Sequence, residues 1–296
     1  MHDGEVEIDA GLVGRLVASQ FPELAGLPVR AVRSTGTVNA VYRLGDRLYA
    51  RLPRMAHWAQ DLEREWLWLP RLAPRLSLEV PVPVGHGRPE GGYPFTWSIY
   101  GWIDGEPYAD EHVDDEHRAA ADLARFVAEL RSVDPAGAPR GGRRPLRELD
   151  GMTRAALAAA DGVIDAAAAT AAWEQALTAP VWDGAAVWIH ADLLRPNLLV
   201  RDGRIRAVID FGGAGAGDPA TDVIAAWSVF GPAGRDVFRA ALDVDDGSWQ
   251  RARGIALHQA AMIIPYYETT NPGFVALARR TVEQVLAGYS ADTSHQ

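Results

Sequence analysis

The chain has 296 residues, a formal net charge of −10 at pH 7 and no cysteine. The missing cysteine excludes disulfide scaffolds, cysteine zinc sites and thiol catalysis, and the acidic balance argues against nucleic acid, which requires a basic face. No stretch reaches the roughly 18 apolar residues of a membrane span, and the acidic N-terminal residues do not resemble a signal peptide. We therefore expect a cytoplasmic protein with no membrane partner.

Helices and short strands alternate in the first 100 residues. Apolar spacing predicts helices over residues 7–20 and 57–74. The second helix is expected to bury one face that carries Trp58, Leu62, Trp66 and Leu69. Between the helices, Gly45-Asp46 separates two segments of alternating polarity, which predicts a β-hairpin. Two more strands are predicted within residues 81–87 and 93–103.

The remainder of the chain has mainly helical periodicity. Helices are predicted over residues 151–178, 219–230, 233–242 and 248–288, interrupted by a β-rich segment at 186–213. A linker near residues 99–104 would then divide the chain. We expect an N-lobe of residues 1–100 and a C-lobe of residues 101–296.

The β-rich segment carries the residue types that phosphoryl transfer requires. A short apolar strand runs into His190-Ala191-Asp192, Asn197 follows five residues later, and a predicted hairpin ends at Asp210. A carboxylate can orient or deprotonate an attacking hydroxyl, while an amide oxygen and a second carboxylate can hold Mg²⁺ against phosphates. The pattern indicates a kinase-type catalytic loop followed by a metal-binding aspartate.

This pattern resembles a known family. His190-Ala191-Asp192-Leu193 resembles the H-G-D-L motif of the aminoglycoside phosphotransferase family, the segment ending in Asp210-Phe211-Gly212 resembles the kinase-like I-D-F-G, and residues 217–222 resemble its G-D-P-A-x-D segment. The resemblance spans nearly the whole chain. It implies an α+β, bilobal protein-kinase-like fold with a small β-rich N-lobe, which binds the nucleotide, and a larger, mainly helical C-lobe, which holds the catalytic loop, the metal site and the acceptor.

The resemblance also implies roles for individual residues. Asp192 would be the catalytic base, and Asn197 and Asp210 would be Mg²⁺ ligands. The chain contains no lysine, so Arg51 would take the place of the phosphate-binding lysine and pair with Glu65. Arginine stays charged and offers a forked donor to phosphate oxygens, which makes this replacement chemically sound.

The remaining nucleotide contacts follow from the same resemblance. A phosphate loop would contain Ser34, Thr35, Gly36, Thr37 and Asn39. The adenine-reading hinge would include Ser98, Tyr100 and Trp102, and Leu199 and Ile209 would complete the nucleotide site. The donor is expected to be ATP or GTP with Mg²⁺.

Two departures from the family pattern lie in the catalytic loop. Ala191 replaces the usual glycine, and an alanine disfavours a positive φ angle. Leu194-Arg195-Pro196 replaces the more usual His-Pro-Gly, and we expect Arg195 to contact the γ-phosphate or to lower the pKa of Asp192 by proximity. The run from Gly212 to Gly217 does not fit G-x-G-x-x-G and is interpreted as a flexible segment.

The acceptor is expected to be a small cationic molecule. Residues 1–100 carry 11 acidic and 11 basic residues, whereas residues 101–296 carry 28 and 18, and clustered carboxylates concentrate cations. Candidate acceptor contacts are Asp104, Glu106, Asp110 and Glu268. The first hypothesis is therefore an ATP-dependent O-phosphotransferase that inactivates an aminoglycoside-type antibiotic and so confers resistance, acting as a monomer or weak dimer.

Three alternatives remain open at this point. The acceptor could be another antibiotic, such as a macrolide or a cyclic peptide. It could instead be a metabolite sugar or amino alcohol. The chain could also be a catalytically weak nucleotide-binding pseudokinase, although the intact set of Asp192, Asn197 and Asp210 argues against this last reading.

Overall fold

A computed structural model describes residues 6–32 and 38–293. The predicted α+β class is confirmed, since helices and mainly antiparallel strands both contribute. The chain divides into two compact units. The first contains the described residues up to Gly105 together with Ala207–Gly212, and the second contains Glu106–Arg206 and the described residues from Gly213 onward.

The first unit is built on a five-stranded antiparallel sheet. Its elements in chain order are α1 (Ala10–Gln20), β1 (Val29–Ala31), β2 (Asn39–Leu44), β3 (Leu48–Pro53), α2 (Ala56–Leu72), β4 (Pro83–Gly87) and β5 (Trp97–Gly101). The strand order is β1-β2-β3-β5-β4. The predicted hairpin is confirmed, with Leu44 opposite Leu48 and Gly45 at a φ angle of 57° in the turn.

The two helices of this unit use different sides of the sheet. Ala50 and Leu52 of β3 belong to the apolar core that includes the buried face of α1. Successive side chains of a strand point to opposite faces, so Arg51 points to the other side. There it meets α2, which packs against β3, β4 and β5.

The buried face of α2 differs from the predicted one. Leu62 and Leu69 are buried as expected, but Trp66 is 38% exposed, and Glu65 takes its place on the buried face. The sequence pattern favoured the apolar tryptophan because an unpaired carboxylate is costly to bury. Glu65 is buried because Arg51 and Tyr100 supply it with partners.

Helices dominate the second unit. Its elements are β6 (Glu106–Pro107), α3 (Glu116–Arg131), α4 (Leu146–Ala159), α5 (Ala166–Ala176), β7 (Val187–Ile189), β8 (Leu198–Arg201), β9 (Arg204–Val208), β10 (Gly215–Gly217), α6 (Ala220–Val223), α7 (Ala225–Ser228), α8 (Pro232–Ala241), α9 (Asp246–Tyr267) and α10 (Pro272–Thr293). Strand β9 crosses the boundary between the two units.

Helix α9 is the central element of this unit. Its residues from Arg251 to Ala261 are all buried, and it packs against α4, α5, α6 and α10. A helix buried on every side carries little amphipathic signal. Within the residues described, no helix has the length and apolar character needed to span a membrane.

The predicted extent is wrong for two of the long helices. The segment predicted as 151–178 contains a break at Gly162, which has a φ angle of 86°, and Asp165 caps the N-terminus of α5. The segment predicted as 248–288 is broken after Tyr267, and Asn271 accepts a hydrogen bond from the Phe274 N–H at the start of α10. Local capping and turn residues override the continuous apolar pattern at both places.

The glycine run is also not the expected flexible segment. Gly215–Gly217 forms β10, which pairs antiparallel with β7. A Cβ atom added to Gly215 would lie 2.4 Å from the carbonyl oxygen of Pro139. These glycines therefore permit close backbone approach next to the catalytic loop.

A buried histidine in α9 makes the stability of the protein depend on pH. His258 Nδ1 lies 2.8 Å from Thr153 Oγ1, which itself donates to the carbonyl of Leu149. Burial, assisted by the nearby Arg143, lowers the pKa of His258 to about 4. The unfolded chain therefore takes up a proton near the ordinary histidine pKa of about 6.5, while the folded chain resists protonation.

We expect this histidine to destabilise the folded chain in acid. Stability is complete above about pH 6.5 and decreases as the pH falls toward about 4, with a loss of about 2 kcal/mol between pH 7 and pH 5. Urea unfolding at both pH values measures it. The His258→Asn variant should lack this part of the pH dependence, and an equal loss in both proteins would contradict the assignment.

Candidate active site

A buried carboxylate fixes the first residues of the predicted catalytic loop. The N–H groups of His190 and Ala191 donate to Oδ2 and Oδ1 of Asp222, each at 2.8 Å. Asp222 is fully buried in α6, and burial raises its pKa despite the opposing effects of His190 and these hydrogen bonds. Both oxygens of one side chain thus hold two consecutive backbone groups.

The same contact accounts for the unusual residue in the loop. Ala191 has a φ angle of 71°, a conformation that costs a non-glycine residue roughly 1–2 kcal/mol. Hydrogen bonds to a charged group contribute about 1.5–3 kcal/mol each, so the two bonds to Asp222 offset this strain. Alanine disfavours a positive φ angle, as expected from the sequence, and the hydrogen bonds to Asp222 compensate for that cost here.

The carboxylate of Asp192 is held from two directions. Asn197 Nδ2 donates to Asp192 Oδ2 at 2.8 Å and to the Asp192 carbonyl at 2.9 Å. Gln259 Nε2, from α9, donates to Asp192 Oδ1 at 2.6 Å. The structure therefore brings the predicted base and one predicted metal ligand together and adds a residue that the sequence analysis missed.

Gln259 and Asp222 are the functional candidates that sequence reasoning did not identify. A sequence signal existed for each. Gln259 is a lone amide in the apolar stretch of α9, and Asp222 closes the Gly217–Asp222 segment. Neither signal names a partner, because the contacts span 67 residues for Gln259 and 31–32 for Asp222.

Arg195 is engaged in contacts that support the loop. Its Nε and Nη2 donate to the carbonyl of Val229 at 3.0 and 2.8 Å, and Nη2 also donates to Asp110 at 2.6 Å. The guanidinium lies over the ring of Tyr108, and Arg195 is only 7% exposed. These contacts tie the loop to neighbouring elements of the second unit and give Asp110 a cationic partner.

Arg51 is the centre of a charged cluster in the first unit. Its Nη1 donates to Glu65 at 2.7 Å and its Nη2 to Asp210 at 2.5 Å. Tyr100 donates to the second oxygen of Glu65 at 2.5 Å. Asn39, assigned with its amide oxygen toward Arg51, accepts from Nε and Nη2 at 3.0 and 3.1 Å.

The charges within this cluster stabilise one another. Burial alone would lower the pKa of Arg51, but the carboxylates of Asp210 and Glu65 outweigh burial and raise it. The pKa of Tyr100 is raised by burial and by the adjacent Glu65. Arg51 is therefore a permanent cation.

Asp210 lies in a tight turn after β9. Its φ angle is 67°, and 40% of its side chain is exposed. Phe211 is buried, and the carbonyl of Gly212 accepts a hydrogen bond from Arg64 of α2. A Cβ atom on Gly212 would approach Asp61 Cβ to 2.9 Å, so the glycine lets this turn pack against α2.

The predicted hinge residues lie on or next to β5. Ser98 and Tyr100 are fully buried strand residues, and the Tyr100 hydroxyl is directed to Glu65. The Trp102 N–H donates to the carbonyl of Arg47 at 2.8 Å, and its indole N–H donates to Asp104 at 2.9 Å. The Arg43 guanidinium lies over the Trp102 ring.

The remaining predicted residues lie on other parts of the two units. Leu199 is buried in β8, and Ile209 is half-buried just after β9. Glu106 is exposed in β6 and pairs with Val200, and Glu268 is exposed at the C-terminal end of α9. Ser34, Thr35, Gly36 and Thr37 lie outside the described residues.

Asp210 in the first unit and Asn197 in the second each carry an oxygen donor of the kind that Mg²⁺ binds. Asp210 offers a partly exposed carboxylate and Asn197 an amide group. Across residues 6–32 and 38–293, no group of three or more His, Cys, Asp or Glu residues is arranged to hold a metal ion. Mg²⁺ is usually bound by one or two carboxylates, with phosphates and water completing its shell, so it does not require a dedicated cluster of protein ligands.

Comparisons with known proteins establish the fold. The chain superimposes with a TM-score of 0.74 on a GDP and kanamycin complex of APH(2")-IIIa, at 19% identity over 93% of this chain and 98% of that chain. A macrolide 2'-phosphotransferase from Brachybacterium faecium matches with a TM-score of 0.60 and 25% identity, over 94% and 97%. These matches confirm the predicted kinase-like fold.

One protein of similar sequence comes from Bacillus subtilis. An uncharacterised protein from Bacillus subtilis (strain 168), YcbJ, is 27% identical over 198 residues. The match covers 61% of this chain and 62% of that protein's length.

The sequence profile of the phosphotransferase enzyme family, APH, matches residues 30–255, which is well over half of the chain. The predicted family is thereby confirmed. The chain belongs to the phosphotransferase enzyme family and is a kinase-type enzyme that transfers a phosphoryl group to a hydroxyl acceptor.

Proposed function

We propose that this enzyme transfers the γ-phosphoryl group of ATP or GTP to a hydroxyl group of a small antibiotic-type molecule. The observation that carries the proposal is the carboxylate of Asp192, fixed by Asn197 and Gln259 on a loop that Asp222 anchors. A base must be held within hydrogen-bond reach of the proton it accepts. This arrangement provides a rigid base in a chain of a phosphotransferase family.

Each residue has a defined task in the proposed reaction. The acceptor oxygen forms a bond to the γ-phosphorus while the bond from that phosphorus to the nucleotide oxygen breaks, and the acceptor's proton passes to Asp192. Arg51 would hold phosphate oxygens, and Glu65 would hold Arg51 in place. Asn197 and Asp210 would hold Mg²⁺, which neutralises developing phosphate charge when bound.

Arg195 is assigned a supporting task rather than contact with phosphate. Its donors are directed to Val229 and Asp110, and its guanidinium lies over Tyr108. In this proposal it keeps the Leu194–Asn197 segment in register with the second unit, so that Asn197 can reach Asp192.

The first candidate acceptor is a cationic aminoglycoside-type alcohol. The excess of acidic residues lies in residues 101–296, and one structural relative is a complex with kanamycin. Asp104, Glu106 and Glu268 remain candidate contacts, whereas Asp110 already pairs with Arg195.

A macrolide is the second candidate. A recess in the second unit beside the catalytic loop is lined mainly by apolar side chains, which suits a ligand with apolar surface. The 25% identity to a macrolide 2'-phosphotransferase is consistent with this alternative.

A panel assay tests the proposed function. Nucleotide-dependent ADP or GDP formation is measured with kanamycin, gentamicin, streptomycin and erythromycin, and with water as the basal acceptor. We expect at least one alcohol to raise the rate and to gain one phosphoryl group by mass spectrometry. In the Asp192→Asn variant the rate should fall by roughly 10²–10⁴-fold, with nucleotide affinity retained. Wild-type turnover in that variant would refute Asp192 as the base.

The metal role of Asp210 predicts a specific loss of affinity. In the Asp210→Asn variant, Mg²⁺-nucleotide should bind more weakly by at least about tenfold, because one charged oxygen ligand is lost. Isothermal titration with and without Mg²⁺ measures this effect. If both proteins gain the same affinity from Mg²⁺, Asp210 serves only as a partner of Arg51.

The Arg51–Glu65 pair predicts separable effects on stability and activity. Arg51→Met leaves Glu65 buried without its cation and should lower the free energy of unfolding by about 3–5 kcal/mol. The double variant Arg51→Met, Glu65→Gln should recover most of this stability, because the glutamine oxygen can still accept from Tyr100. Arg51→Lys should keep appreciable activity with a higher nucleotide KM.

Activity discriminates between the two roles of the pair. The double variant should remain impaired in kcat/KM for the nucleotide, because no cation is left to hold phosphate. A stable double variant with wild-type kcat/KM would show that the pair is purely structural.

A further inference from the structure

The side chain of Gln259 is only half satisfied. Its Nε2 donates to Asp192 Oδ1 at 2.6 Å. Its Oε1 is buried and has no hydrogen-bond partner among the described residues, and the residue is 7% exposed. One end of the amide thus contacts the proposed base, and the other end is an unused acceptor.

The orientation of this amide is fixed by charge. An ionised carboxylate only accepts hydrogen bonds, so the end of Gln259 that faces Asp192 must be the NH₂ group. Rotating the amide would place two oxygens against each other. Oε1 is therefore kept away from Asp192 and cannot satisfy itself by exchanging places with Nε2.

Gln259 lines a recess formed by the catalytic loop, α9 and α10. The recess is narrow and partly open, with about 20 Å³ available to the centre of a water-sized group. Its walls are largely apolar and include Leu194, Ile224, Ile263, Phe274 and Leu277. A recess of this size accommodates only a small part of a ligand, such as a methyl-sized branch.

The hydroxyl groups that line the recess already donate hydrogen bonds to backbone carbonyls. Ser228 Oγ directs its one proton to the carbonyl of Leu193 at 2.7 Å, with the carbonyl of Ile224 at 3.1 Å, and Thr281 Oγ1 donates to the carbonyl of Leu277. Neither can donate to Gln259. A buried acceptor without a donor costs about 1–3 kcal/mol, and in native proteins such a group requires an explanation.

We propose that Gln259 both positions Asp192 and binds the acceptor, its Oε1 accepting a hydrogen bond from a second hydroxyl of the alcohol whose reacting hydroxyl lies at Asp192. An apolar edge of the same molecule occupies the recess. This inference rests on the proposed function, because it takes Asp192 as the base.

The chemistry of the recess selects a hydroxyl donor over an ammonium group. Arg195 is among the lining residues, and none of the residues that line the recess in the described part of the chain is acidic. A cation in the recess would meet mainly apolar walls, and the one charged lining residue, Arg195, is itself a cation that already holds Asp110. The portion of the acceptor bound here is therefore neutral, a hydroxyl-bearing carbon skeleton, even where the rest of the molecule is cationic.

Two substitutions separate the two contacts of Gln259. Gln259→Met removes both hydrogen bonds while keeping side-chain length and helix propensity. Gln259→Glu has the shape of glutamine and keeps an oxygen for the acceptor, but it replaces the donor to Asp192 with a like charge. Gln250→Met, at an exposed position of the same helix, is the matched control.

Steady-state kinetics provides the readout. The acceptor is the panel alcohol with the lowest KM, and kanamycin and erythromycin are tried first. We expect kcat to fall on the order of tenfold in both Gln259 variants. The acceptor KM should rise on the order of tenfold with methionine but stay within about threefold of wild type with glutamate. Nucleotide KM and the melting temperature of the control should not change.

The possible results are decisive. Equal acceptor KM values in the two Gln259 variants, or unchanged kcat in both, would overturn the inference and leave Gln259 a packing residue. Full turnover in Asp192→Asn would instead overturn the proposed function, and that result is independent of Gln259. A loss of stability lowers the fraction of active enzyme and therefore the apparent kcat, but it leaves KM unchanged, so it cannot produce this split.

Discussion

The buried carboxylate of Asp222 is the contact on which the catalytic loop depends. It accepts from two consecutive backbone N–H groups and so holds Ala191 in a left-handed conformation that alanine does not adopt by itself. Asp192 follows directly in the chain. The direction of its side chain is therefore set by an anchor 30 residues away in sequence, and the hydrogen bonds from Asn197 and Gln259 complete the fixation.

In the first unit, one buried cation is paired with two carboxylates. Arg51 is buried between two carboxylates, Glu65 and Asp210, and each of its donor groups has an acceptor. A buried charge is tolerated only when it is paired and hydrogen-bonded. The forked guanidinium can serve both carboxylates at once, which a single ammonium group does with less geometric control. A chain without lysine can therefore build this cluster.

The acidic excess of residues 101–296 is less available to a substrate than the net charge implies. Several of these acids are internal anchors. Asp110 pairs with Arg195, Asp122 with Arg125 and Arg204, and Asp218 with Arg251. Glu116 accepts from the backbone N–H groups of Gly231 and Gly234. In the proposed function, the surface potential that would attract a cationic acceptor must come from the remaining acids, and the residues that line the recess beside Gln259 include none.

The sequence by itself determined the family, the α+β class, the hairpin of β2 and β3, and the set of candidate groups around Asp192, Asn197 and Asp210, because these features depend on local order and spacing. The tertiary structure decided which charges could be buried and what each loop residue touches. It placed Glu65 rather than Trp66 on the buried face of α2, ended two long helices at capping residues, and gave Gln259 and Asp222 their partners. The physical reason is that burying a polar group is favourable only when a partner from another element satisfies it, and a sequence pattern shows the group without its partner.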